Sequence, residues 1–117
     1  MENGTYAQYI DNKAHGDDII LTRVLSKYSV LDAVLDGVSM GNGKRGSQLT
    51  AEKLERGVIE NQTHLGEIVR EANEELSSSA PIGETTLTAT LKIGNKLYVL
   101  NTGDSPAYLL RNNGVIE

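Results

Sequence analysis

The sequence predicts an α+β domain in which an antiparallel sheet carries a pair of antiparallel helices on one face. Three observations predict it. Apolar, β-branched runs cluster at both ends of the chain, two 3.6-period stripes stand between them, and tight-turn dipeptides separate the later runs. Strands segregated from helices argue for this class over an alternating parallel sheet. At 117 residues the chain fits one domain, residues 1–117.

The first expected strand is short and aromatic, Thr5 to Ile10, followed by the polar, turn-like "DNKAHGDD". "DDIILTRVL", Asp17 to Leu25, is β-branched and reads as a strand. A turn near Ser26-Lys27 leads to "SVLDAVLDG", a strand ending at Asp36. Runs this apolar suit strands covered on both faces. "GVSMGNGKRG" reads as a Gly-rich loop from Gly37 to Gly46. A helix from Ser47 to Glu60 would bury Ala51, Leu54 and Val58. Asn61 to Thr63 offers a break and a cap. Leu65, Ile68, Val69, Ala72 and Leu76 form the cleanest helical stripe, opposite Glu67, Arg70, Glu71, Glu74 and Glu75. "SSSAPIG" ends that helix. Leu87, Ala89, Leu91 and Ile93 alternate with Thr86, Thr88, Thr90 and Lys92, the pattern of a half-buried strand. Gly94-Asn95 is a two-residue hairpin turn, and Leu97 to Asn101 returns from it. "TGDSP" then reads as a turn inside a further apolar hairpin, with Ala107 to Leu110 going out again. Asn112 to Gly114 turns once more before Val115-Ile116.

Composition narrows the function. With no Phe, Trp or Cys, the core must come from Leu, Ile, Val, Ala and some of the five Tyr. Thiol catalysis, disulfides and Cys-ligated zinc are excluded, which fits a reducing, cytoplasmic setting. The net charge of −5 argues against a general nucleic-acid binder, whose footprint is a basic face. No apolar run reaches the roughly 20 residues of a membrane span.

Chemistry concentrates at strand ends. Asp17-Asp18, Asp36-Gly37 and Gly103-Asp104 all close or open apolar runs. Turn chemistry accounts for any one of them alone. Together, carboxylates at strand ends can converge at one sheet edge, and converging oxygens are what Mg²⁺ or Mn²⁺ requires. Glycine beside an aspartate lets its own carbonyl approach a metal closely.

These pieces, in order, resemble the first half of the metal-dependent type 2C protein phosphatases. "YSVLDAVLDGVSMGNG" is an apolar strand ending in Asp-Gly before a Gly-rich loop. A helix pair follows, ending "REANEELSSS". Then come the strand start Gly83, Thr85, Thr86 and "GNKLYVLNTGDS", with Gly-Asp-Ser at Gly103 to Ser105. The resemblance runs from about Lys13 onward and implies half of an αββα sandwich. It implies phosphoserine and phosphothreonine hydrolysis by two Mg²⁺ or Mn²⁺ ions and a metal-activated water. By position in these motifs, Asp36 would bridge both metals and Gly37 would lend its carbonyl. Asp17 would be an acidic ligand, Asp18 a supporting residue and Lys13 a phosphate-binding cation, without the bidentate fork of an arginine. Gly-Asp-Ser would lie near the metals without ligating them.

The pattern also departs from that family. Val38, Ser39 and Met40 stand where eukaryotic members have His-Gly-Gly, and Pro106 replaces a common arginine. "DGVSMGNG" resembles instead the sporulation and stress-response branch. The family's later Asp-Gly and Asp-Asn ligands are absent from these 117 residues. The alternatives are therefore an enzyme completed by a partner half, a non-catalytic relic or phosphoprotein-binding module of the same fold, and a piece of a longer phosphatase. A Leu- and Val-rich second sheet face predicts association, as a homodimer or with a C-terminal half.

Of the other candidates, His64 reads as a surface residue and His15 as a loop histidine with an outside claim as an acid near Asp17. Ser39 and Ser47 lack a visible His–Asp pair to activate them. "GNGKRG" lacks the ending of a nucleotide loop, so Lys44 and Arg45 read as a solvated loop tip or a contact for an anionic phosphoprotein.

Overall fold

A computed structural model describes residues 18–37, 43–78, 85–103, 107–111 and 114–116 of the chain. Six strands and two helices follow in the order ββααββββ. β1 (Ile19–Ser26), β2 (Ser29–Gly37), β3 (Thr85–Ile93) and β4 (Lys96–Thr102) form one antiparallel sheet in that spatial order. α1 (Gly43–Arg56) and α2 (Gln62–Ser77) stand between β2 and β3 in sequence. The α+β class and the two-helix, antiparallel-sheet architecture are as the sequence predicts. The strand expected at Thr5 to Ile10 lies outside the described residues.

Period-two alternation sets the register. Leu31, Ala33 and Leu35 of β2 pair with Leu91, Ala89 and Leu87 of β3. All six are buried, on the face that meets Ala51 and Leu54 of α1, Ile59 of the connection between the helices and Leu65 of α2. Leu21 on β1 pairs with Ala33, and Leu100 on β4 pairs with Ala89. The middle row of this inner face thus reads Leu21, Ala33, Ala89, Leu100. Two alanines at its centre remove bulk beneath α1, which packs on β1, β2 and β3. Small residues facing a helix let the layers close without voids.

Both hairpin turns are tight. Lys27-Tyr28 joins β1 to β2, with a register shift between Val24 and Ser26. Gly94-Asn95 joins β3 to β4. Gly94 takes φ 61 while no described residue other than glycine has positive φ, the pattern of a type II′ turn with glycine first. Gly94 N–H also donates to Tyr28 O at 2.8 Å, so the two turns abut.

The helices differ from expectation at their ends. α1 begins at Gly43, so the Gly-rich loop is shorter than Gly37 to Gly46, and Arg45 sits in the first helical turn instead of a loop tip. Burial of Gly46 and Ser47 against the fold offsets the poor helix propensity of glycine there. α1 stops at Arg56 instead of running to Glu60, and Val58 is 69% exposed while Ile59 is buried. Gly57 explains the stop: a Cβ there would stand 2.3 Å from Ile68 Cδ1, so the chain turns where α2 crosses closely. α2 carries the expected stripe, with Leu65, Ala72 and Leu76 buried and Ile68 and Val69 half-buried. Asn61 caps it, accepting from His64 N–H at 2.9 Å, and His64 Nδ1 accepts from Glu60 N–H at 3.1 Å. These two bonds at the helix start give His64 a structural job.

β5 (Leu109–Arg111) pairs with β6 (Gly114–Ile116) in a separate two-stranded sheet. Among the described residues β4 and β5 do not pair as the hairpin expected across "TGDSP": β4 pairs back onto β3 and β5 pairs forward onto β6. Of the tyrosines expected to fill the core, Tyr98 packs against it, whereas Tyr28 and Tyr108 are exposed.

One inward charge holds the first strand to the helices. Arg23 lies on the inner face of β1, and its Nη1 donates to Leu54 O at 2.8 Å and Gly57 O at 2.7 Å. These carbonyls belong to the C-terminal end of α1, where the macrodipole favours a cation. Lys53 of α1 and Glu75 of α2 add an ion pair at 2.9 Å, part-exposed and worth little. Two substitutions test this packing by urea unfolding. Arg23→Met should cost about 1–3 kcal/mol, since it leaves helix-end carbonyls without their donor. Ala89→Leu should cost about 1–3 kcal/mol by overpacking the row beneath α1. Stability unchanged by both would contradict the described packing.

Candidate functional site at one end of the sheet

The antiparallel register carries three distant motifs to the same end of the four-stranded sheet. Ile19 pairs with Leu35, so Asp18 comes level with Asp36. Asp36 pairs with Thr86, and Gly37 with Thr85, the first residues of β3. Thr102 pairs with Leu87, so Gly103 comes level with Thr86. One row across the sheet end thus reads Asp18, Asp36, Thr86, Gly103. By alternation these residues share the face opposite the helices.

Each member is held by a local cause. Asp36 is exposed at the end of β2, between buried Leu35 and buried Gly37. Its backbone carbonyl accepts from Thr86 Oγ1 at 3.5 Å, a long contact. Thr85 Oγ1 donates to Thr86 O at 2.9 Å and stiffens the same strand start. Asp18 is half-buried, with Oδ1 shut off from solvent. Gly103 has φ 95, and a Cβ there would stand 2.7 Å from Thr86 Cγ2. Glycine is required at this position twice over, by backbone conformation and by the approach of β4 to β3.

Of the residues singled out in the sequence, Asp18 stands level with Asp36 across the strand ends, and Gly37 follows Asp36. Asp17, Lys13, His15, Ser39 and Asp104 to Pro106 lie outside the described residues. Ser47 is fully buried in α1, which removes it as a nucleophile open to substrate. Thr86 belongs to the strand-start motif read in the sequence, but that reading gives it no role. Its place beside Asp36 follows from counting back along β3 from the Gly94-Asn95 turn, a signal present in the sequence.

A hard divalent cation takes oxygen ligands, and Mg²⁺ is commonly held by one or two carboxylates with several waters. Two carboxylates and the Gly37 carbonyl at one sheet end meet that minimum in kind. Among the described residues, no group of three acidic or histidine side chains gathers to hold a metal ion. Among the same residues, no helix is long and apolar enough to cross a membrane.

Comparison with known proteins adds no assignment: the chain matches no family model, no curated protein and no solved structure. The functional reading therefore rests on the residues and their placement.

The glycine requirement gives a direct test. Gly103→Ala should destabilise the chain by about 1–3 kcal/mol, from strain at positive φ and the clash with Thr86. The exposed Asp36→Asn should leave stability within about 0.5 kcal/mol. Thermal unfolding of both variants checks the contrast, and a neutral Gly103→Ala would contradict the described sheet end.

Proposed function

We propose that this chain is a type 2C-like, metal-dependent phosphatase domain acting on phosphoserine and phosphothreonine in proteins. The observation that carries the reading is the row of Asp18, Asp36, Thr86 and Gly103, in which Asp18 and Gly103 flank the ends of β1 and β4 beside Asp36 of β2 and Thr86 of β3. Turn chemistry explains an aspartate at a strand end but not the alignment of separate motifs in one row. In this reading Asp17, Asp36 and the Gly37 carbonyl hold Mg²⁺ or Mn²⁺. Asp18 steadies the ligand set, and Lys13 holds the substrate phosphate as a point charge. Bound metal would supply an acidified water and offset charge on the phosphoryl oxygens. The chain's own work is to align the acidic oxygens, keep Gly37 free of a side chain and brace β2 against β3 through Thr86.

A second reading is favoured by the sparse acidic set among the described residues. In it the same fold binds a phosphoprotein or assembles with a complementary half, with weak metal affinity and no turnover.

Hydrolysis of a small phosphate ester with and without Mn²⁺ separates the two. The enzyme reading expects metal-dependent turnover that falls at least about 100-fold in Asp36→Asn, the scale of losing charge stabilisation at a reacting centre. Turnover equal in both proteins, or equal to the metal-only background, would leave the binding-module reading.

A further inference from the structure

The two edges of the four-stranded sheet are unlike each other. β1 is a guarded edge: its register shifts between Val24 and Ser26, and Arg23 points inward to the end of α1. Irregularity and inward charge are the usual means of blocking edge-to-edge pairing. β4 has none of them. It pairs with β3 without a register break, contains no proline, and its one charged residue is Lys96 at the end.

Among the described residues no strand pairs with the other side of β4, and the turn fixes which of its residues face that side. In a hairpin closed by two residues, the flanking pair Ile93 and Lys96 is hydrogen-bonded. Lys96, Tyr98 and Leu100 therefore direct backbone groups to β3, and Leu97 and Val99 direct theirs outward. Leu97 and Val99 are also 51% and 55% exposed. Along the same edge runs a groove of about 270 Å³, lined by Tyr98, Val99 and Leu100 of β4 and by Gln62, Thr63, Leu65 and Gly66 of α2. Among the described residues, nothing stands within 4 Å of where a Cβ at Gly66 would be, so they leave the helix side of the groove open.

We infer that β4 pairs antiparallel with β4 of a second copy about a two-fold axis through Val99, joining two four-stranded sheets into one. The strand's own sequence argues for a second copy as the occupant. About Val99, "KLYVLNT" sets Lys96 opposite the partner's Thr102, Leu97 opposite the partner's Asn101 and Tyr98 opposite the partner's Leu100. No like charges meet, and the aromatic–aliphatic pair occurs twice. Val99 meets the partner's Val99 at a hydrogen-bonded position, so the outward backbone groups of each strand find their complements. On the inner face the partner's Tyr98 and the partner's Leu100 enter the open groove beside α2. Such a contact is isologous and closes at two copies, so it makes a dimer and not a fibre. The inference rests on register and edge chemistry and is independent of the phosphatase reading.

Sedimentation of the 117-residue chain across a concentration series tests it, with circular dichroism to verify folding. A concentration-dependent monomer–dimer equilibrium is expected. Val99→Lys and Val99→Glu should each weaken it at least about tenfold, because like charges meet on the axis, and an equimolar mixture should regain a heterodimer. Since the chain has no cysteine, Val99→Cys offers a further readout: it should oxidise to a disulfide-linked dimer faster than Val34→Cys on the sheet face. A chain that stays monomeric at millimolar concentration overturns the inference. So does a dimer that survives Val99→Lys but is lost on Val34→Lys, which would place the contact on the sheet face.

Discussion

Everything in this structure depends on the pairing of β2 with β3. Leu31, Ala33 and Leu35 lie opposite Leu91, Ala89 and Leu87 with no break, and all six are buried. A shift of one residue would turn these side chains to the other face and bring Asp32, Thr88 and Thr90 beneath the helices, so the register is strongly specified. β1 and β4 are then added by short turns, and the same register governs both. It seats α1 over the Ala33–Ala89 step, and it decides which residues share each end and each edge.

The face away from the helices is less uniform than its apolar sequence suggests. Val24, Val34, Leu97 and Val99 are exposed there. Among them runs a polar row in which Thr22 Oγ1 donates to Asp32 Oδ1 at 2.7 Å, with Thr90 beside them. An interface formed by laying another sheet on this face must cover that row. The β4 edge requires only backbone groups and apolar side chains to be met. The proposed phosphate chemistry at one sheet end and the proposed pairing along β4 use different residues, so either can stand without the other.

Much of this was legible in the sequence because it follows from local periodicity. The Leu65 to Leu76 stripe, the Thr–Leu alternation of β3, the Asn61 cap and the Gly94-Asn95 turn each declare themselves within a few residues. The level placement of Asp18 and Asp36 follows from the same local signals, since a short hairpin turn leaves little freedom of register. What was not legible depends on contacts between elements. Val58 fits the helical stripe, yet the close crossing of α2 at Gly57 ends α1 before it. Arg23 looks like an outward-facing strand charge until the end of α1 supplies two carbonyls for it. "TGDSP" looks like a hairpin turn, but β4 and β5 join different sheets, and nothing local announces that choice.

The central proposal is that the row at one end of the sheet holds a divalent cation. The most direct measurement is a Mn²⁺ titration of the isotope-labelled chain, followed by paramagnetic broadening of its amide resonances. The account predicts early, selective broadening at Asp18, Asp36, Gly37 and Thr86, with a marked loss of affinity in Asp36→Asn. Broadening confined to the acidic outer face of α2, around Glu71 and Glu74, or spread evenly over the surface and indifferent to Asp36, would contradict it.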